Sequence, residues 1–176
     1  MVAASLSMSS LNAFQHLGIE AAFDINLKDL DRRYFALQAK AHPDRFSTHS
    51  DLDKQASITL ASHLNQAYEI LKNPVQRARC LLEIEGISVL DTTNSPEILE
   101  EALEWQEKLA EAKTPLDLDT LQNQIHKSLH ECLHTLNQDF KEGRQTSCQQ
   151  HYLRLVYLSK LKDDLKALQQ PSTQGF

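Results

Sequence analysis

The chain has 176 residues and a formal charge of −6, from 18 Lys and Arg against 24 Asp and Glu, so it lacks the basic excess of a nucleic-acid surface. Four glycines and five prolines among abundant Leu, Ala, Gln, Glu and Lys predict an all-helical protein of one domain or two small ones. No apolar run approaches the roughly 20 residues that cross a bilayer, and the first ten residues lack the basic and apolar regions of a secretory signal. Cys80, Cys132 and Cys148 are an odd set without Cys-x-x-Cys spacing, which reads as reduced thiols in a cytoplasmic protein with no metal knuckle.

In chain order, Ser10 is placed to cap a short helix through Leu17, ended by Gly18. Asn26 caps a second helix, in which Leu27, Leu30, Tyr34 and Leu37 share one face and Lys28, Arg32, Arg33 and Lys40 occupy other positions. Pro43 pushes His42 out of the helical region, so this helix must stop at Ala41 or His42. A third helix over residues 51–72 sets Leu52, Ala56, Leu60, Leu64, Ala67 and Leu71 at helical spacing. Phe14, Leu17, Leu37 and Leu64 are assigned to the core. A short helix over residues 75–85 follows the break at Pro74, and residues 87–95 read as a connector.

Three further helices are predicted over residues 96–113, 116–141 and 147–169, broken at Thr114-Pro115 and at Gly143. Their lengths and short connections predict an antiparallel three-helix bundle. Leu118, Leu121, Ile125, Leu129, Cys132, Leu136 and Phe140 form the seam of the middle helix, and Leu155, Leu158, Leu161, Leu165 and Leu168 that of the last. The expected division is 1–75, a connecting segment with a short helix at 76–94, and the bundle at 95–176.

His42-Pro43-Asp44 sits at the tip of a helical hairpin, where loops carry function. An acid–base pair is one reading, but no nucleophile, phosphate-binding loop or metal set accompanies it. The tripeptide could also be a plain proline turn, or a protein-binding tip in which Asp44 accepts a charge-assisted hydrogen bond. Lys28, Arg32, Arg33 and Lys40 are either a solvated helix face or, in an otherwise acidic chain, a patch that steers an acidic partner; Arg33 is the residue most expected to contribute.

The bundle has apolar side chains beyond its seams. On the first bundle helix Ile98, Ala102, Trp105, Leu109 and Ala112 form one face, leaving Leu99 and Leu103 to one side; on the last, Tyr157, Leu153 and Val156 lie off the seam. Leu153 and Val156 are assigned to packing against the N-terminal unit, and Leu99, Leu103 and Tyr157 to an exposed partner patch. His126, His130 and His134 recur every four residues but lie on the water-facing side, so no metal is expected there.

The segments 12–18 (Asn-Ala-Phe-Gln-His-Leu-Gly), His42-Pro43-Asp44-Arg45-Phe46, Asn65-Gln66-Ala67-Tyr68 with Leu71, and Asn73-Pro74 with Arg77, Ala78, Leu81 and Leu82 resemble a J-domain and its continuation. With the acidic helical tail they make nearly the whole chain similar to the HscB family of J-type co-chaperones of iron–sulfur cluster assembly. Ala41 departs from the pattern, standing where many J-domains have Tyr.

The resemblance implies a non-enzymatic, cofactor-free adaptor between two partners, an HscA-like ATPase chaperone of the DnaK class and an IscU-like scaffold protein. His42, Pro43, Asp44, Arg45, Lys28, Arg32, Arg33 and Lys40 would meet the chaperone, and Leu99, Leu103 and Tyr157 match the patch that grips the scaffold. A J-protein for general folding is the alternative, but the Gly/Phe-rich run and paired zinc cysteines expected of one do not appear in the sequence.

Overall fold

The computed structural model describes residues 11–42, 50–87 and 95–169, in which there are seven helices and no strand. The chain divides into two compact units, Met1–Gly86 and Ile87–Phe176. Among the described residues no helix is long and apolar enough to cross a membrane.

The first unit holds α1 (Ala13–Leu17), α2 (Leu27–Ala41), α3 (Asp51–Lys72) and α4 (Pro74–Ile84). The cap of α1 is Asn12, whose side chain forms a reciprocal capping box with Gln15; Ser10, expected in that role, lies outside the described residues. Gly18 ends α1 at φ 62°, a left-handed conformation that glycine adopts without steric cost. Asn26 caps α2 as expected, accepting from Lys28 and Asp29, and Asn73 both terminates α3 and caps α4. Helix α4, expected within the connecting segment, packs on α3 and is compact with the first unit.

The core of this unit is Phe14, Leu17, Leu30, Leu64, Leu71 and Leu82, each almost wholly buried. Burying a leucine or phenylalanine of this kind contributes about 1.5–3 kcal/mol. Leu37, assigned to the core, is only half-buried. The expected stripe of α3 holds in its second half alone, where Leu64, Ala67 and Leu71 are buried; Leu52 is 83% exposed and Ala56 is also exposed. The buried residue in the first half is Ser57, because its hydroxyl has a partner there.

That partner is the carbonyl of Ala41, the last residue of α2, at 2.6 Å. It opens a ladder joining α2 to α3. Gln38 Nε2 donates to the Ala61 carbonyl at 3.1 Å and also to Asn65. Tyr34 donates to Asn65 at 2.8 Å, and Tyr68 donates to Asp31 at 2.9 Å. The rings of Tyr34 and Tyr68 stack between these bonds, 4.1 Å apart. Behind the ladder Arg77 is buried, donating to the Leu71 carbonyl at 3.0 Å and lying over the Phe23 ring.

The second unit is the bundle, α5 (Pro96–Glu111), α6 (Pro115–Glu142) and α7 (Gln145–Gln169). Helices α6 and α7 share the main seam through Leu121, Ile125, Leu129, Cys132 and Leu136 against Tyr152, Leu155, Leu158, Leu161 and Leu165. Their turn uses Gly143 at φ 65°; its N–H bonds back to Phe140 and that of Arg144 to Asp139, the paired bonds of a Schellman motif. Phe140 and Leu168, expected in the seams, are half-buried and exposed respectively. The seam position at this end is taken instead by Asp139, which is fully buried. Val156 is exposed and Leu153 half-buried.

Ser57→Ala leaves the buried Ala41 carbonyl without its donor and should destabilise the first unit by about 1–3 kcal/mol, read as a lower urea midpoint at unchanged m. An unchanged midpoint would show that the bond contributes nothing net.

Candidate functional site

Two surfaces require description, one on each unit. On the first, α2 ends at His42, whose φ of −63° and ψ of 128° are the extended values a following proline imposes. His42 is exposed. Pro43, Asp44 and Arg45 lie outside the described residues.

The four basic residues of α2 do not form one patch. At 100° per residue, Lys28, Arg32, Phe35 and Ala39 fall within about 60° of arc on the outer face, whereas Arg33 and Lys40 lie together about 120° away. Asp29, on the same helix, pairs with two of the cations, both of which stay exposed. Arg33 Nε is 2.8 Å from Asp29, Arg32 pairs with the same carboxylate, and Arg33 Nη1 also donates to the Gly18 carbonyl. The hydrogen bond from Arg33, reinforced by both guanidinium charges, holds the Asp29 carboxyl below its ordinary range. Arg33, the residue most expected to meet a partner, thus also fastens α2 to the end of α1. Lys28 and Lys40 are exposed.

On the second unit, Leu99 and Leu103 lie one turn apart on α5, 65% and 60% exposed. Tyr157 of α7 is half-buried, because its hydroxyl donates to the Ala102 carbonyl at 2.9 Å. Burial raises its phenol above the ordinary value, so it remains a neutral donor at physiological pH. The patch is therefore two open leucines beside a tyrosine tied to the backbone that carries them.

The opposite side of α5 is anchored. Trp105 is buried and donates to Glu101 at 3.4 Å. Arg154 Nε and Nη2 grip the same carboxylate at 2.7–3.0 Å. Burial alone would raise the Glu101 carboxyl; the hydrogen bonds and charge of Arg154 outweigh it and hold the group below its ordinary value.

Two further features were not anticipated. Glu97, Glu100, Glu104, Glu107 and Glu111 step by threes and fours along α5, all exposed, and form an acidic border to the leucine stripe. Their spacing was legible in the sequence. The buried Asp139 shares a 2.5 Å hydrogen bond with His151 Nδ1, and Arg144 Nε lies 3.2 Å from its other oxygen without hydrogen-bond geometry. The only hint of this was an aspartate at seam spacing from Cys132 and Leu136.

His126, His130 and His134 are exposed, and among the described residues no group of three or more His, Cys, Asp or Glu could hold a metal ion. No disulfide joins the cysteines. Cys132 donates to the His151 carbonyl at 3.3 Å, and burial pushes its thiol up to about 11. In the first unit a cleft of about 450 Å³ holds His16 and His63, rings 5.3 Å apart; burial first, then the neighbouring His63, lowers His16 below its ordinary value.

A J-type helical hairpin carrying the His42 corner, together with a three-helix bundle, defines a co-chaperone architecture. Residues 94–166 match the family described as the HSCB C-terminal oligomerisation domain. The chain is 34% identical over 155 residues to a co-chaperone protein HscB homolog of Neisseria meningitidis, spanning 85% of this chain and 93% of that protein. Among solved structures, human co-chaperone HscB superposes with a TM-score of 0.85 at 25% identity, over 92% of this chain and 84% of that one. HscB from Vibrio cholerae does so at 0.79 and 27%, over 90% and 97%. The chain belongs to the HscB family of co-chaperones.

The Glu101–Arg154 pair yields a signed pH dependence. A carboxyl held below its unfolded value of 4.5 stabilises the fold above that pH, and the contribution is lost as pH falls through the folded value. Arg154→Met should therefore cost about 1 kcal/mol at pH 7, modest because both partners touch solvent, and progressively less as the pH is lowered below 4.5, by urea unfolding across that range. A cost unchanged across it would mean that packing of the Arg154 stem, not the ion pair, holds α5.

Proposed function

We propose that this chain stimulates the ATPase of an HscA-like, DnaK-class chaperone and delivers to it an IscU-like scaffold protein, aiding maturation of iron–sulfur proteins in the cytoplasm. It supplies no catalytic group and no cofactor; hydrolysis is the chaperone's. The observation that carries this reading is the exposure of Leu99 and Leu103 on a helix whose other face is clamped by Trp105, Glu101 and Arg154. A stable bundle has no use for two open leucines side by side, and an apolar pair of this size suits a transient interface that must release its cargo. Membership of the HscB family supports the same choice of partners.

Each named residue has a part. Leu99 and Leu103 bury apolar area against the scaffold, Tyr157 completes the patch, and the glutamates beside it favour a scaffold surface with a basic rim. At the hairpin, Asp44 accepts a charge-assisted hydrogen bond from a cation of the chaperone, while His42 and Pro43 shape the corner and Arg45 pairs with a carboxylate. Lys28, Arg32, Arg33 and Lys40 steer the acidic surface of the ATPase domain, with Lys28 and Lys40 contributing most because Asp29 offsets the two arginines. Holding chaperone and scaffold at once raises the effective concentration of one at the other.

Asp44→Ala should abolish stimulation in a steady-state ATPase assay while scaffold affinity by calorimetry stays unchanged. Stimulation that survives the substitution removes the tip from the mechanism. Conversely, the triple change Leu99→Ala, Leu103→Ala and Tyr157→Ala should weaken scaffold binding at least about tenfold and leave scaffold-free stimulation intact. Wild-type affinity in that variant would return the three residues to a structural role.

A further inference from the structure

Phe35 is 64% exposed at the middle of α2, on the arc that it shares with Lys28 and Arg32. A single exposed apolar side chain needs no explanation in general. This one differs in two respects. Its neighbours along the arc are cations, Lys28 two turns before it and Arg32 one turn before, the latter paired with Asp29 yet still 79% exposed, and the arc runs on through Ala39 toward the His42 corner. Its ring is also held. It packs on Tyr34 with centroids 5.2 Å apart and planes tilted by 56°, and Tyr34 is itself fixed by stacking on Tyr68 and by its bond to Asn65. An aromatic fixed in this way loses little conformational entropy when a partner covers it.

We infer that Phe35 is the apolar anchor of the chaperone-docking face, entering a recess on the ATPase domain whose rim carries carboxylates for Lys28 and Arg32. The inference rests on the reading that α2 and the hairpin tip meet the chaperone, and it adds the chemistry of the surface they meet. The charges orient the encounter, and the ring supplies short-range affinity that salt does not screen. The occupant is chosen by charge and by place: a ring bordered by cations fits an acidic partner surface with a local apolar pocket, and the arc leads to the same His42 corner that is read as meeting the chaperone.

The test uses the full chain and measures the concentration giving half-maximal ATPase stimulation of the chaperone, at low and at high salt. Phe35→Ala should raise that concentration about tenfold at both, with an unchanged melting temperature, and Phe35→Leu should recover most of the loss. The combined Lys28→Ala, Arg32→Ala variant should show a defect that shrinks at high salt. Wild-type behaviour of Phe35→Ala, with Asp44→Ala still inactive, overturns the anchor while leaving the docking reading in place. A defect in Phe35→Ala that tracks a lowered melting temperature also overturns it, assigning the ring to hairpin stability. Full stimulation by Asp44→Ala removes the reading itself, and the anchor with it.

Discussion

The ladder between α2 and α3 is the constraint on which the first unit depends. A helical hairpin of this length could be joined by apolar contacts alone, and such a seam would tolerate sliding by a turn. Here the contacts are directional. Ser57 reaches only the last carbonyl of α2, Gln38 and Tyr34 converge on Asn65, and Tyr68 finds Asp31. Slipping the pair by one turn would break these bonds together and leave the buried carbonyl of Ala41 without a donor. Pro43 ends α2, and the register fixes where that end, and with it His42, stands against α3. Ala41 fits the same account. It is buried where its carbonyl meets Ser57, in a position where the wider family pattern favours a large aromatic side chain.

The bundle solves a different problem. It must leave apolar side chains in water without losing the helix that carries them. The seam of α6 and α7 is self-sufficient, closed at the Gly143 turn and backed by the buried Asp139 with His151. Helix α5 buries only Trp105 fully, half-buries Ile98, Ala102, Leu109 and Ala112 on the same predicted face, and is further attached by polar bonds, Glu101 to Arg154 and Tyr157 to Ala102. Polar attachment is what frees Leu99 and Leu103, since neither is needed to hold α5 in place. The same bonds set the rotation of α5, and so decide which leucines face outward.

The helices were legible in the sequence because local chemistry marks their ends: Asn26, Pro43, Asn73-Pro74, Thr114-Pro115 and Gly143 each act on their own neighbours. The exposure of Leu99 and Leu103 was legible too, because helical periodicity identifies residues a seam does not need. What periodicity could not supply was long-range pairing. Glu101 and Arg154 are 53 residues apart, and nothing local to either announces the other. Ser57 and Asp139 were missed for a related reason: polar residues are read as surface until a partner is known. On α3 the apolar period points to Ala56 and Leu60, and nothing local to Ser57 gives a reason to bury a serine beside them. The division of the basic face of α2 follows from helical angles alone, whereas the pairing of Arg32 and Arg33 with Asp29 needs the side-chain geometry.

The light attachment of α5 has a consequence for how cargo is received. With one fully buried residue, α5 is the helix of the bundle expected to open at the lowest free energy, its clamp being mainly the polar bonds of Glu101 and Tyr157. A guest settling on Leu99 and Leu103 would have to hold that helix closed, and the ordering cost would subtract from its affinity. The receiving surface is therefore suited to letting go: part of what a guest gains there goes into holding the helix it lands on.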